Sequence, residues 1–171
     1  MDEITVYQYL DRIVAQPICS IGRASNMLWL GIGDKIKALT RLGKEVEIST
    51  YTLHIQSTWR IASKEEKEIL FASSDFYSPG KDIDYQADFN WELQGNNLFD
   101  QKSQRWLIKD TPLFIKEYKI NQWGDLLLIF SNNDRLEVFV TSSDDTECWR
   151  MLTAEEQELH LVVTGSGISF E

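Results

Sequence analysis

His54, Gln56 and Arg60 stand at alternate positions in Thr52-Leu53-His54-Ile55-Gln56-Ser57-Thr58-Trp59-Arg60-Ile61, and those residue types at that spacing can do chemistry. A neutral imidazole accepts a proton as a general base, and an adjacent carboxylate orients it and stabilises its charged form. A guanidinium binds a carboxylate or phosphate through two parallel N–H bonds. The segment reads as a strand, whose side chains alternate between faces with period two. His54, Gln56, Thr58 and Arg60 therefore share a polar face, while Leu53, Ile55, Ser57, Trp59 and Ile61 share the other.

The carboxylate and a phenol come from the next segment. Glu68 to Tyr77 reads as a second strand, and Lys64-Glu65-Glu66-Lys67 makes a hairpin the simplest connection. Symmetric pairing across that turn sets Gln56 opposite Asp75, His54 opposite Tyr77, Ile61 opposite Leu70 and Ile55 opposite Phe76. A one-residue slip would mix the apolar and polar sets. The candidate ligand-binding set is thus His54, Gln56, Arg60, Asp75 and Tyr77. The same pattern also fits a solvated sheet face laced with cross-strand pairs worth about 0.2–1 kcal/mol each. Both readings stay open at this point.

Other constellations are weaker. Arg150 and His160 form a second basic pair, and Glu137 shares a face with Leu128, Phe130 and Phe139. A partly buried acid needs a partner, and Arg150 on the following strand is the natural one. Two histidines and two distant cysteines, Cys19 and Cys148, show no metal-ligand spacing. Asp82-x-Asp84-x-x-x-Asp88 begins like a calcium loop, yet Gln86, Ala87 and Leu93 occupy positions where an EF-hand needs a ligand, a glycine and an acid. Gly165-Ser166-Gly167 reads as a terminal turn, since no helix N-terminus follows to complete a phosphate site. No serine or cysteine has a base at motif spacing. The expectation is a protein without metal, cofactor or catalysis.

Net charge of −10 arises from 27 acidic and 17 basic residues. A field of that sign repels phosphate backbones and anionic membranes and favours a basic partner. No apolar run approaches the ~18 residues of a membrane span, and Met1-Asp2-Glu3 lacks the basic and apolar regions of a signal peptide. The expected location is the cytoplasm, with neither nucleic acid nor membrane as a partner.

The elements that must position these groups follow from periodicity. Residues 3–15 carry Ile4, Tyr7, Leu10, Ile13 and Val14 at helical spacing, ended by Pro17. Asn26 to Ile32 is an apolar strand, and Lys35 to Gly43 fits either its extension or a loop. Asn97 is an N-cap with Asp100 at N3, opening a helix to about Lys109. From Leu113 the chain reads as an antiparallel meander of strands near 114–120, 126–130, 136–141, 147–152 and 159–164. Asn132-Asn133 suits a two-residue hairpin turn because Asn tolerates positive φ. Aromatic content of 12% favours sheet. Trp29, Trp59 and Trp149 are expected in the core, and Trp91 and Trp123, near polar turns, are better placed for partner contact. At 171 residues one domain is expected, of the α+β class, predominantly antiparallel sheet (two packed sheets or one strongly curved sheet) with about two helices.

Leu53-His54-Ile55-Gln56-Ser57-Thr58-Trp59-Arg60 resembles the Leu-His-[Val/Ile]-Gln-x-x-Trp-Arg strand of a group of small uncharacterised bacterial proteins. Ser74-Asp75-Phe76-Tyr77, Asn97-Leu98-Phe99-Asp100, Leu136-Glu137-Val138-Phe139, Glu147-Cys148-Trp149-Arg150 and His160-Leu161-Val162-Val163 extend the resemblance. Ser57-Thr58 stands where that group often has Cys-Pro, which argues against an essential thiol. The resemblance implies a bacterial origin and no known activity. The function expected is that of a cytoplasmic, non-catalytic interaction protein for a basic protein partner, as immunity proteins are for basic toxins. The alternative is a small-ligand-binding protein or enzyme centred on the hairpin face.

Overall fold

The computed structural model describes residues 3–40, 42–84, 89–108, 111–155 and 158–171. Two helices, α1 (Glu3–Asp11) and α2 (Leu98–Leu107), accompany eleven strands in two antiparallel sheets. The six-stranded sheet has the order β1 (Ile18–Ala24), β2 (Met27–Leu39), β3 (Glu45–Ile55), β9 (Glu147–Thr153), β10 (Leu161–Thr164) and β11 (Gly167–Phe170). The five-stranded sheet has the order β5 (Glu68–Ala72), β4 (Thr58–Ser63), β8 (Arg135–Phe139), β7 (Leu126–Phe130) and β6 (Ile115–Ile120). The fold is α+β, and both sheets face one core. Among the described residues no helix is long and apolar enough to cross a membrane.

The segment that carries His54 and Arg60 joins the two sheets. Leu53, Ile55, Trp59 and Ile61 are each at most 1% exposed, so the expected apolar face is real. The strand nevertheless breaks at Gln56-Ser57. Both of their N–H groups donate to the Cys148 carbonyl, at 2.8 and 3.0 Å. Two donors on one acceptor is the bonding of a β-bulge, which bends the strand. β3 before the bend belongs to one sheet and β4 after it to the other.

The expected hairpin therefore holds only for β4 and β5. Next to the turn, Ala62 pairs with Ile69 and Ser63 with Glu68 in the expected register. A bulge then moves Ile61 opposite Phe71 instead of Leu70. Beyond Ala72 the chain winds into a short 3-10 helix, Ser73–Tyr77, whose Asp75 Oδ2 accepts the Ala72 N–H at 3.3 Å. The pairs Gln56–Asp75, His54–Tyr77 and Ile55–Phe76 do not form. Coiling turns Phe76 inward, against Trp59 and Phe99 at centroid distances of 5.6 and 4.8 Å.

α2 starts as its sequence requires. Asn97 Oδ1 accepts the Asp100 N–H at 2.9 Å, satisfying one of the free donors of the first turn. Its expected end near Lys109 lies outside the described residues, as do Gln86, Ala87 and Asp88 of the acidic stretch. Trp106 Nε1 donates to Asp134 Oδ2 at 2.8 Å, tying α2 to the β7–β8 turn, where Asn133 adopts φ 65°. The loop of that turn is residues 131–133 rather than the expected two, since the Phe130 N–H donates to the Asp134 carbonyl.

Several expectations need correction. β1 was not legible, because Ile18 and Ile21 both point inward at a spacing wrong for a regular strand. A bulge between Ile18 and Ser20 absorbs the extra residue. Gly165-Ser166-Gly167 is no closing turn: β11 follows it and pairs with β10. The meander is broken after β8, since β9 leaves for the six-stranded sheet and pairs with β3 and β10. Lys35 to Leu39 extends β2, paired with the start of β3.

Arg23 binds Asp100 through Nε–Oδ1 at 2.8 Å and Nη2–Oδ2 at 2.9 Å, with both side chains 2% exposed. The Arg23 fork also donates to the carbonyls of Ser25 and Leu93, and Asp100 accepts from the Gly95 N–H. This network pins the β1–β2 turn and the 93–97 loop to the start of α2. Removing one member leaves a buried charge without its partner. Asp100→Ala is expected to cost about 3–5 kcal/mol in urea denaturation, whereas Lys37→Ala, in an exposed pair with Glu45, costs less than about 1 kcal/mol.

Candidate functional site

The outward face of the six-stranded sheet carries an unbroken row of cross-strand neighbours: Gly22, Trp29, His54, Arg150, Val162 and Ser169. Glycine is needed at the edge. A Cβ on Gly22 would stand 2.3 Å from Trp29 Cζ2, so the indole lies against the bare backbone of β1. Trp29, expected in the core, is instead half-buried on this outer face.

His54 stands between Trp29 and Arg150, half-buried, and its imidazole makes no hydrogen bond among the described residues. Burial holds its pKa below the ordinary imidazole value; Glu147 opposes that shift, while Arg150 and His160 reinforce it. The ring is therefore neutral at pH 7. The carboxylate beside it is already engaged. Glu147 Oε2 accepts from Arg150 Nε at 2.9 Å and Nη2 at 2.5 Å, and its Oε1 accepts from Gln56 Nε2 at 2.9 Å. Arg150 also lies 3.5 Å from Glu171.

The remaining candidates lie elsewhere. Arg60 projects from the five-stranded sheet, paired with Glu137 and set 5.6 Å from the Phe139 ring centroid. The expected Glu137–Arg150 pair does not exist, because β4 rather than β9 lies beside β8. Asp75 faces Lys102 Nζ at 3.4 Å. Tyr77, exposed, accepts from Asn26 Nδ2 at 3.2 Å and meets the Trp91 ring edge-on at 5.1 Å. Thus Gln56 is bonded into the Glu147–Arg150 network, and His54 only adjoins it. Gln56 and Tyr77 line one cleft of about 490 Å³ at the sheet crossing, together with Asn26, Ser57, Thr58, Ser73, Ser74, Phe76 and Thr141. Arg60 and Asp75 join neither group.

No family model, curated protein or solved structure matches the chain. Its chemistry must be read from its own groups. Each guanidinium named above is neutralised by a carboxylate within the chain, and the His54 imidazole has no hydrogen-bonded acid among the described residues to relay its proton.

Three loops meet at the end of the sheets beside the crossing. Val140 N–H donates to Asp125 Oδ1 at 2.7 Å, and Trp149 Nε1 donates to the Gly124 carbonyl at 2.8 Å. A Cβ on Gly165 would stand 2.2 Å from the Ser142 carbonyl oxygen, so the 164–167 turn lies directly on the 141–146 loop. Trp123, on the first of these loops, is 67% exposed; Trp91 is half-buried. Asp144 and Asp145 project from the second. Asp144 Oδ1 accepts from Ser142 Oγ at 2.5 Å and from the Thr146 N–H at 2.9 Å. These bonds, that of Ser142 first, lower its pKa to about 2. The sequence signal for this end was the lone tryptophan beside a polar turn, and the acids of 144–145 gave none beyond their charge.

The depressed pKa of His54 has a consequence for stability. Below the ordinary imidazole pKa of about 6.5 the unfolded chain binds a proton that the folded chain resists, so stability falls as pH falls through that range. His54→Gln removes this contribution. Urea midpoints measured from pH 7.5 to pH 5, both about the imidazole range, are expected to fall more for the native chain than for His54→Gln; equal slopes would show that His54 is free to charge.

Proposed function

We propose that this protein is a cytoplasmic, non-catalytic binding protein that holds a basic protein partner at its loop end. The observation that supports the reading is the position of its uncompensated acid. Arg12, Arg23, Arg60 and Arg150 are each bound to a carboxylate of the same chain, so these basic groups are neutralised within the fold. Asp144 and Asp145, by contrast, stand in solvent on the loop that adjoins the Trp123 loop. An exposed tryptophan on a loop that adjoins one bearing two exposed carboxylates is matched to a lysine- or arginine-rich surface. The indole face attracts a cation, and the carboxylates steer it in.

The likeness of the Leu53–Arg60 strand to that of small bacterial proteins belongs to the same proposal. It supports a bacterial origin and brings no activity with it. Neutralising a basic toxin is a role of this chemical type.

Binding of an arginine-rich peptide, followed by surface plasmon resonance, tests the reading. Association is expected to slow as salt rises, and the double change Asp144→Asn, Asp145→Asn is expected to slow it further at low salt. Trp123→Ala is expected to weaken affinity about 30-fold, the scale of a central aromatic contact. Equal binding by all three proteins, or no binding at low salt, would contradict it.

A further inference from the structure

We propose that the cleft at the sheet crossing is a binding site for a neutral saccharide. The inference stands on the cleft and not on the acidic loop end. Its lining holds two amides, Asn26 and Gln56, with the hydroxyls of Ser57, Ser73, Ser74 and Tyr77 among its donors and acceptors. Among the described residues no charged side chain lines it, in a chain of net charge −10. An anion would be repelled, and any ion would lose water without gaining a partner. The ligand this lining favours is therefore uncharged.

The lining also sets the ligand's hydrogen-bonding pattern. Hydroxyls and amides each donate and accept, so they are matched by a molecule that carries many groups able to do both. One of them is unsatisfied: Ser57 Oγ is buried and has no hydrogen-bond partner among the described residues. A buried hydroxyl left alone is costly, and because Ser57 is among the lining residues, a turn of its side chain toward a ligand hydroxyl in the cleft supplies the missing bond.

An aromatic wall completes the match. Tyr77 is 51% exposed, yet its ring is held in place by the Asn26 amide on its oxygen and the edge-on Trp91 ring. A pre-oriented ring face packs against the C–H face of a sugar while its rim bonds the hydroxyls. The volume of about 490 Å³ lies within the span of small-molecule sites. An extended peptide fits less well. Strand addition needs free backbone donors, and the Gln56 and Ser57 N–H groups are both taken by the Cys148 carbonyl.

Titration of the full chain with maltose, cellobiose and N-acetylglucosamine, read by ligand-detected NMR, tests the proposal, with glucuronate as the charged control. At least one neutral sugar is expected to bind with a dissociation constant on the order of 1 mM, and glucuronate at least about 10-fold more weakly, given the chain's negative field. Ser57→Ala and Asn26→Ala are each expected to weaken binding at least about 10-fold. Ser57→Ala is also expected to leave the melting temperature unchanged or higher, because it deletes an unpaired buried hydroxyl. Absence of binding by all three neutral sugars, equal binding of glucuronate, or full affinity in Ser57→Ala would overturn it.

Discussion

One stretch of chain, residues 45–63, is an interior strand of both sheets. β3 has β2 and β9 as neighbours, and β4 has β5 and β8. The two halves are separated by only Gln56 and Ser57, whose N–H groups converge on the Cys148 carbonyl. A bulge at that point turns the strand without rotating its faces. Leu53 and Ile55 on one side and Trp59 and Ile61 on the other consequently enter the same core. The sheets meet again where Pro17 bridges Phe114 and the Ile18 N–H donates to the Leu113 carbonyl. Every other element is arranged around a core that this one strand enters twice.

The crossing also decides where polar groups can gather. Because the strand leaves one sheet for the other, its polar row is divided. His54 faces out from the six-stranded sheet and Arg60 from the five-stranded one, each beside acids of its own sheet. At the bend the ladder is interrupted, and the gap is filled by side chains of small polar residues. The 3-10 helix and the β1–β2 turn close over it and bring Tyr77 and Asn26 together. A cleft at this position is a product of sheet switching. The charge pairs are structural: Arg23–Asp100 locks loops to α2, and Arg150–Glu147 holds Gln56 at the edge of the crossing.

How far the sequence could be read follows from which signals are local. The Asn97–Asp100 cap, the Asn133 turn and the alternation from Leu53 to Ile61 depend on neighbours in the chain, and each is found where its residues indicate. The bend at Gln56-Ser57 leaves no trace in the pattern, since a period of two continues through it and serves both sheets equally. Asp75, Phe76 and Tyr77 alternate as a strand would. Their coiling is decided by a distant aromatic cluster of Trp59, Phe71 and Phe99 that accepts Phe76. Glu137 is partnered by Arg60 and not by the expected Arg150 for the same reason, since strand order is a long-range property. Of the candidate site, Gln56 and Tyr77 share a cleft, and Gln56 joins a network that His54 only adjoins. Asn26, Glu147 and Thr141 come from elements whose approach only the fold reveals.

A strand shared by two sheets makes them one cooperative unit, and the cleft at the crossing inherits its rigidity. Native-state hydrogen exchange of backbone amides measures this directly. The account predicts that the amides of Leu53 and Ile55 in β3 and of Trp59 and Ile61 in β4 exchange only through a common opening, with one free energy and one dependence on denaturant. Loss of protection in β4 at a lower opening energy, with β3 still protected, would contradict it.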